Sequence, residues 1–96
     1  ALDLRKSSAT YGNCVSTELS FENHQALYIP KGFAHGFLTL SEKATTFYLV
    51  SGEYNKEADG GVRYDSFNFD WGVENPIVSE RDLLFHELKN FDSPFN

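Results

Sequence analysis

Two side chains stand out for the chemistry they can do. In the stretch Ile29-Pro30-Lys31-Gly32-Phe33-Ala34-His35-Gly36, a Pro-x-Gly turn is followed three residues later by an imidazole. Such a ring can hydrogen-bond, move a proton near neutral pH or bind a metal. In Thr45-Thr46-Phe47-Tyr48-Leu49-Val50-Ser51 the phenol of Tyr48 is flanked by apolar residues. A phenol is protonated at neutral pH and donates a proton when ordered in a dry pocket. Each has a plainer reading beside the chemical one: His35 as a hydrogen-bonded member of a sheet core, Tyr48 as a packed aromatic whose hydroxyl has found a partner. A metal site would need two or three further ligands. His24 and His86 lie in polar surroundings with no His-x-His pairing, so no metal and no cofactor is expected.

The elements that must position these groups read as strands. Apolar and polar residues alternate at period two, with β-branched and aromatic types where a pleated sheet favours them. The strand candidates are Leu2 to Arg5, Cys14 to Leu19, Gln25 to Ile29, Gly36 to Leu40 and Thr45 to Ser51. Turn signals separate them: SSATYGN, SFENH, PKG and LSEKA. Within Thr45 to Ser51 the alternation puts Thr46, Tyr48 and Val50 on one face and Phe47 and Leu49 on the other. Short strands joined by compact turns predict a sandwich or jelly roll rather than a helical or βαβ domain. Gly52 to Gly61, polar and ending in two glycines, reads as a surface loop. Ser79 to Leu88 is the one plausible helix, short, with Ser79 and Asp82 at the N-cap and N3 spacing of a capping box.

Ninety-six residues, 41% hydrophobic and 16% aromatic, suit a single domain, 1–96, with one core. Eight Lys and Arg against fourteen Asp and Glu give a net charge of -6. That balance argues against a nucleic-acid backbone or an anionic membrane as partner. The single cysteine, Cys14, forms no internal disulfide, and no segment reads as a signal peptide or a bilayer span. A cytoplasmic setting is therefore expected. The chain has no methionine and opens in apolar alternation at Ala1, Leu2 and Leu4, so a fragment whose jelly roll is incomplete at its N-terminus is expected.

Three segments carry a more specific signal: Leu2 to Glu42, Phe47 to Asp65 and Trp71 to Asp82, in this order and spacing. Together they resemble the dTDP-4-dehydrorhamnose 3,5-epimerase family of nucleotide-sugar isomerases. The resemblance implies an all-β, cupin-like jelly roll (double-stranded β-helix) with a short C-terminal helix. It implies inversion of C3, C5 or both in a dTDP-4-keto-6-deoxyhexose on the way to dTDP-L-rhamnose, by proton removal and return through an enolate. It further implies a homodimer in which N-terminal strands join the neighbour's sheet.

The same resemblance assigns roles. Tyr48 falls at the proton-donor tyrosine and His35 at a histidine that hydrogen-bonds the substrate. Tyr54 matches an aromatic that stacks on thymine. Asp59 stands at a substrate-contacting acid, commonly Glu, and Arg81 at a basic position usually Lys in a Ser-Glu-Lys-Asp run. Asp82 matches the carboxylate that orients the catalytic histidine. That histidine belongs to an upstream Arg-Gly-Leu-His segment, which does not occur in these 96 residues, and Leu49 stands where many members have lysine. Loss of the base costs about 100- to 10,000-fold. A non-catalytic nucleotide-sugar-binding module is the alternative for this chain alone.

Overall fold

The computed structural model describes residues 1–96. Regular structure is sparse. Strand β1 (Leu2–Asp3) pairs antiparallel with β2 (Phe33–Ala34), in the register Leu2 opposite Ala34 and Asp3 opposite Phe33. Cys14 forms an isolated antiparallel bridge to Leu2. Helix α1 (Glu80–Leu83) and a 3-10 turn (Leu88–Asn90) complete the elements. The chain is thus mostly non-helical with a small two-stranded sheet, which is compatible with the all-β class.

The best-packed part lies at β1. Leu2, Asp3, Leu4 and Ser93 are buried there. Backbone bonds tie the region together: Leu4 N donates to Gly32 O, Asp3 N to Asn13 O, Gly12 N to Asp3 O and Lys6 N to Phe95 O. The Ser93 hydroxyl donates to Leu4 O. Residues from the start, the middle and the end of the chain therefore converge on one short strand.

Most of the predicted strands are not formed. The chain has 20 backbone–backbone hydrogen bonds, where roughly 60 would be usual for its length. Cys14 to Leu19, Gln25 to Ile29, Gly36 to Leu40 and Thr45 to Ser51 hold only the Cys14 bridge between them. The reason is that a strand, unlike a helix, closes no hydrogen bonds within itself and depends on a neighbour. In Thr45 to Ser51 neither face is covered: Phe47 is 85% and Leu49 88% exposed, and Tyr48 on the opposite face 73%. The accessible surface of 8507 Å² is half as much again as the roughly 5,600 Å² of a compact chain of this mass.

Turns and caps, which need only local partners, did form. Gly32 takes φ +94 in the Pro-Lys-Gly turn and Gly12 φ +81 in the SSATYGN segment. Ser20 and Asn23 close the SFENH turn reciprocally, Asn23 N donating to Ser20 Oγ at 3.1 Å and Ser20 N to Asn23 Oδ1 at 3.2 Å. Ser79 caps α1 by accepting from Asp82 N at 3.2 Å. The helix is shorter than the predicted Ser79 to Leu88, and Arg63 bonds to its last carbonyl and to the segment beyond it. Arg63 Nη1 donates to Leu83 O at 2.8 Å and Arg63 N to His86 O at 2.9 Å, so carbonyls at the helix end find partners outside it.

Candidate functional site

The second half of the chain folds back on α1 through a few specific contacts. Asn55 starts a turn, its Oδ1 accepting from Glu57 N at 3.1 Å and its carbonyl from Ala58 N at 3.1 Å. That turn sends Asp59 toward the helix, where Arg81 Nη2 donates to Asp59 Oδ2 at 2.8 Å. The Arg81 guanidinium also lies 5.1 Å from the Phe85 ring centroid, a cation–π geometry. Gly61 packs so closely on the same ring that a side chain there would collide with it. Beyond it, Arg63 Nε bonds Asp65 Oδ1 at 2.7 Å, and that hydrogen bond raises the Arg63 pKa above its usual value. Ser66 links Arg63 O to Leu88 N.

Two of the six predicted site residues, Asp59 and Arg81, are therefore in direct contact across 22 positions of sequence. Asp82 sits beside Arg81 on α1, half-buried, with its backbone N–H held by the Ser79 cap. His35 follows β2 directly, is exposed, and its side chain makes no hydrogen bond. Tyr48 and Tyr54 are 73% and 77% exposed. Asp82 thus adjoins the Asp59–Arg81 pair, whereas His35, Tyr48 and Tyr54 make no hydrogen bond to it.

Two open clefts lie elsewhere on the surface. One of about 300 Å³ is lined by Arg5, Lys31, Gly32, Pro94, Phe95 and Asn96. The other, about 370 Å³, has the aromatics Tyr64, Phe69 and Trp71 with the acids Asp65, Asp70 and Glu74, a charge that does not suit an anionic ligand. None of the six predicted residues lines either cleft. Trp71 is held by Nε1–H donation to Tyr64 O at 3.0 Å and by edge-on packing of Phe69 at 4.9 Å. No group of three or more His, Cys, Asp and Glu side chains is arranged to hold a metal ion, and no helix is long and apolar enough to cross a membrane.

The most connected polar cluster was not singled out from the sequence. Asp3, 1% exposed, receives five hydrogen bonds. Its Oδ1 accepts from Arg5 N at 3.0 Å and Arg5 Nε at 2.9 Å, and its Oδ2 from Arg5 Nη2 at 2.8 Å, Ser8 Oγ at 2.8 Å and Thr10 Oγ1 at 2.6 Å. The Arg5 guanidinium first, then the Thr10 hydroxyl, the Arg5 N–H and the Ser8 hydroxyl, hold the Asp3 carboxyl far below the usual carboxylate range against the opposing effect of burial. Arg5 is raised in turn. The available signal was an acid followed closely by a fork donor and two hydroxyls in Asp3-Leu4-Arg5-Lys6-Ser7-Ser8-Ala9-Thr10, an arrangement suited to local capture of a carboxylate.

Comparison with known proteins adds what the geometry does not. Residues 1–90 match the family model for dTDP-4-dehydrorhamnose 3,5-epimerase. A protein of that name from Shigella flexneri is 44% identical over 85 residues, covering 86% of this chain and 47% of the relative. One from Methanothermobacter thermautotrophicus is 42% identical over 94 residues, covering 93% and 51%. A dTDP-4-dehydrorhamnose 3-epimerase from Streptomyces niveus is 37% identical over 94 residues, covering 93% and 45%. The chain thus spans about half the length of these relatives. No solved structure matches it at a significant level.

Proposed function

The chain belongs to the dTDP-4-dehydrorhamnose 3,5-epimerase family, and we propose that it forms part of an isomerase acting on a dTDP-linked 4-keto-6-deoxyhexose in dTDP-L-rhamnose biosynthesis. The carbonyl at C4 acidifies the protons at C3 and C5. Removing one gives an enolate, and returning it from the opposite face inverts the centre. In this reading Tyr48 supplies the returning proton, His35 hydrogen-bonds the sugar, Tyr54 stacks on the thymine, Asp59 and Arg81 contact the substrate, and Asp82 orients the base. The assembled fold is a cupin-like jelly roll acting as a homodimer in the cytoplasm.

The match of residues 1–90 to the family is the observation that carries this reading. Support from geometry is the Asp59–Arg81 pair beside Asp82, which puts three of the assigned positions within one local structure. The relatives' names differ in whether position 3 alone or both positions are inverted, and the reading here covers both outcomes.

The test is deuterium incorporation from solvent into dTDP-4-keto-6-deoxyglucose at C3 and C5. It is measured for this chain and for a form carrying an Arg-Gly-Leu-His segment. Exchange in the extended form, reduced by Tyr48→Phe with dTDP affinity kept, supports the reading. Tight dTDP binding with no exchange in either form makes the chain a nucleotide-sugar-binding module, and equal loss of turnover and affinity in Tyr48→Phe reassigns Tyr48 to binding or packing.

A further inference from the structure

His35 has no hydrogen bond of its own to fix it, so its place is set by the backbone on either side. On the N-terminal side that backbone is β2 with Gly32 just before it, and four contacts run to them from Arg5 and its neighbours. The strand register sets Asp3 opposite Phe33 and Leu2 opposite Ala34. Leu4 N donates to Gly32 O at 2.9 Å. The Arg5 guanidinium lies 4.7 Å from the Phe33 ring centroid, and its stem runs so close to Gly32 that a Cβ there would be 2.6 Å from Arg5 Cγ. On the C-terminal side, a Cβ on Gly36 would lie 3.6 Å from Trp71 Cη2, so the indole edge backs the residue after His35.

Arg5 can press on β2 because its other end is clamped. Three of the five bonds to Asp3 come from Arg5, one from its backbone and two from its planar fork. Ser8 and Thr10 occupy the remaining acceptor capacity of Oδ2. A fork held at two points has few rotamers left, and an ammonium on a flexible stem would not be held in this way. The cluster sits in the most buried part of a chain that is otherwise open. The strand pairing it supports ends at Ala34, one residue before the imidazole.

We infer that Arg5, locked by Asp3, is a positioning residue for His35. It fixes Phe33 and Ala34 so that the imidazole is presented in one place to the keto sugar, and its effect on the ligand passes through that ring. The inference rests on the proposed reading of His35 as a substrate-binding group.

The experiment is a double-mutant cycle with dTDP-4-keto-6-deoxyglucose as the probe, its affinity measured by calorimetry. The four proteins are the parent, Arg5→Lys, His35→Ala and the pair, each checked for folding by its urea midpoint. Misplacing a binding group by a fraction of an ångström to an ångström is enough for a loss of about tenfold. Arg5→Lys is expected to weaken binding about tenfold in the parent and to have no further effect once His35 is alanine, because residues acting through one another are not additive. The His35 imidazole resonances should also shift in Arg5→Lys. Should Arg5→Lys fail to fold, Phe33→Leu, which keeps apolar bulk on β2 but removes the ring beneath the guanidinium, runs the same cycle with the same expectation.

Two results overturn the inference and are distinct. If His35→Ala weakens binding but the Arg5 or Phe33 change is without effect, or costs the same factor in both backgrounds, the positioning role is wrong and the reading of His35 stands. If His35→Ala leaves affinity unchanged, the reading of His35 falls and the positioning role with it.

Discussion

Replacing Gly32 with alanine tests the packing that holds β2 in place. Two independent costs meet at this residue. Its φ of +94 is a conformation that an L side chain adopts at a penalty of roughly 1–2 kcal/mol. The added Cβ would also lie 2.6 Å from Arg5 Cγ and 3.0 Å from Arg5 Cδ. Those atoms cannot easily yield, because the Arg5 fork beyond them is bonded to Asp3 at 2.9 and 2.8 Å. Overpacking of this kind costs about 1–3 kcal/mol, so the sum is on the order of 2–5 kcal/mol. Gly72 separates the two effects, since it has φ +75 and a Cβ there would meet nothing within 4 Å, and Gly52 has neither feature. Urea unfolding of the three alanine variants should therefore rank Gly32→Ala as most destabilising, Gly72→Ala as losing only the conformational part, and Gly52→Ala as unchanged or stabilised by about 0.4–1 kcal/mol. With an m-value of about 1 kcal/mol/M, Gly32→Ala moves the midpoint by about 2–5 M or leaves the chain unfolded in buffer. Equal midpoints for Gly32→Ala and Gly72→Ala would show that Arg5 is not held, and the clamp on β2 would be refuted.

Three further outcomes are expected. Because Asp3 is held far below the usual carboxylate range, the stability it contributes is fully present above about pH 4, where the unfolded carboxyl is also ionised, and is lost as pH falls further. The midpoint difference between the parent and Asp3→Asn should hold from pH 7 to 5 and narrow below 4, and a constant difference down to pH 2 would contradict the sign. Arg81→Gln removes an exposed ion pair worth at most about 1 kcal/mol to folding and, on the proposed function, a charge-assisted contact to the substrate worth about 1.5–3 kcal/mol; calorimetry with dTDP-4-keto-6-deoxyglucose should give a tenfold or greater loss of affinity with little change in urea midpoint, and the reverse pattern would make Arg81 structural. Light scattering should show self-association at high concentration, and a sharp monomer mass would count against the homodimer.

What could be read from the sequence divides along the reach of the forces involved. The Pro-Lys-Gly turn, the Ser20–Asn23 turn and the Ser79 cap use partners two or three residues away, and each sits where the residue types placed it. The surface loop from Gly52 to Gly61, exposed at every residue but Gly61, was legible for the same reason. Thr45 to Ser51 was legible as an alternating pattern but not as a strand in this chain, because alternation states which residues share a face and does not supply the neighbour that makes the face a sheet. The Arg63 contacts at the end of α1 join residues 20 and 23 positions apart, and no local signal announces them. For the site, the assignments of Tyr48, His35, Tyr54, Asp59, Arg81 and Asp82 came from the family resemblance, and of these six only Asp59 and Arg81 bond to each other. The Asp3 cluster was overlooked because a strand reading of Leu2 to Arg5 counts apolar alternation and passes over the charges between.

The residues proposed to do chemistry differ in what holds them, and this bears on how the site is completed. His35 is braced by β2 on one side and Trp71 on the other, and Asp82 is held by the Ser79 cap. Tyr48 has no comparable support. Proton delivery to carbon requires the donor to be within hydrogen-bond reach and ordered, so the proposed function demands that something fix the 45–51 segment. Its alternation indicates how. Phe47 and Leu49 form one apolar face and Tyr48 lies on the other, so a surface that covers Phe47 and Leu49 turns the phenol to the opposite side by geometry alone. The same step adds a strand neighbour and covers side chains that are now exposed. On the proposed function, assembly and catalysis are coupled through one strand, since burying residues 47 and 49 aims residue 48. A charge at Phe47, such as Phe47→Glu, should consequently abolish self-association and Tyr48-dependent exchange together, although residue 47 faces away from the substrate.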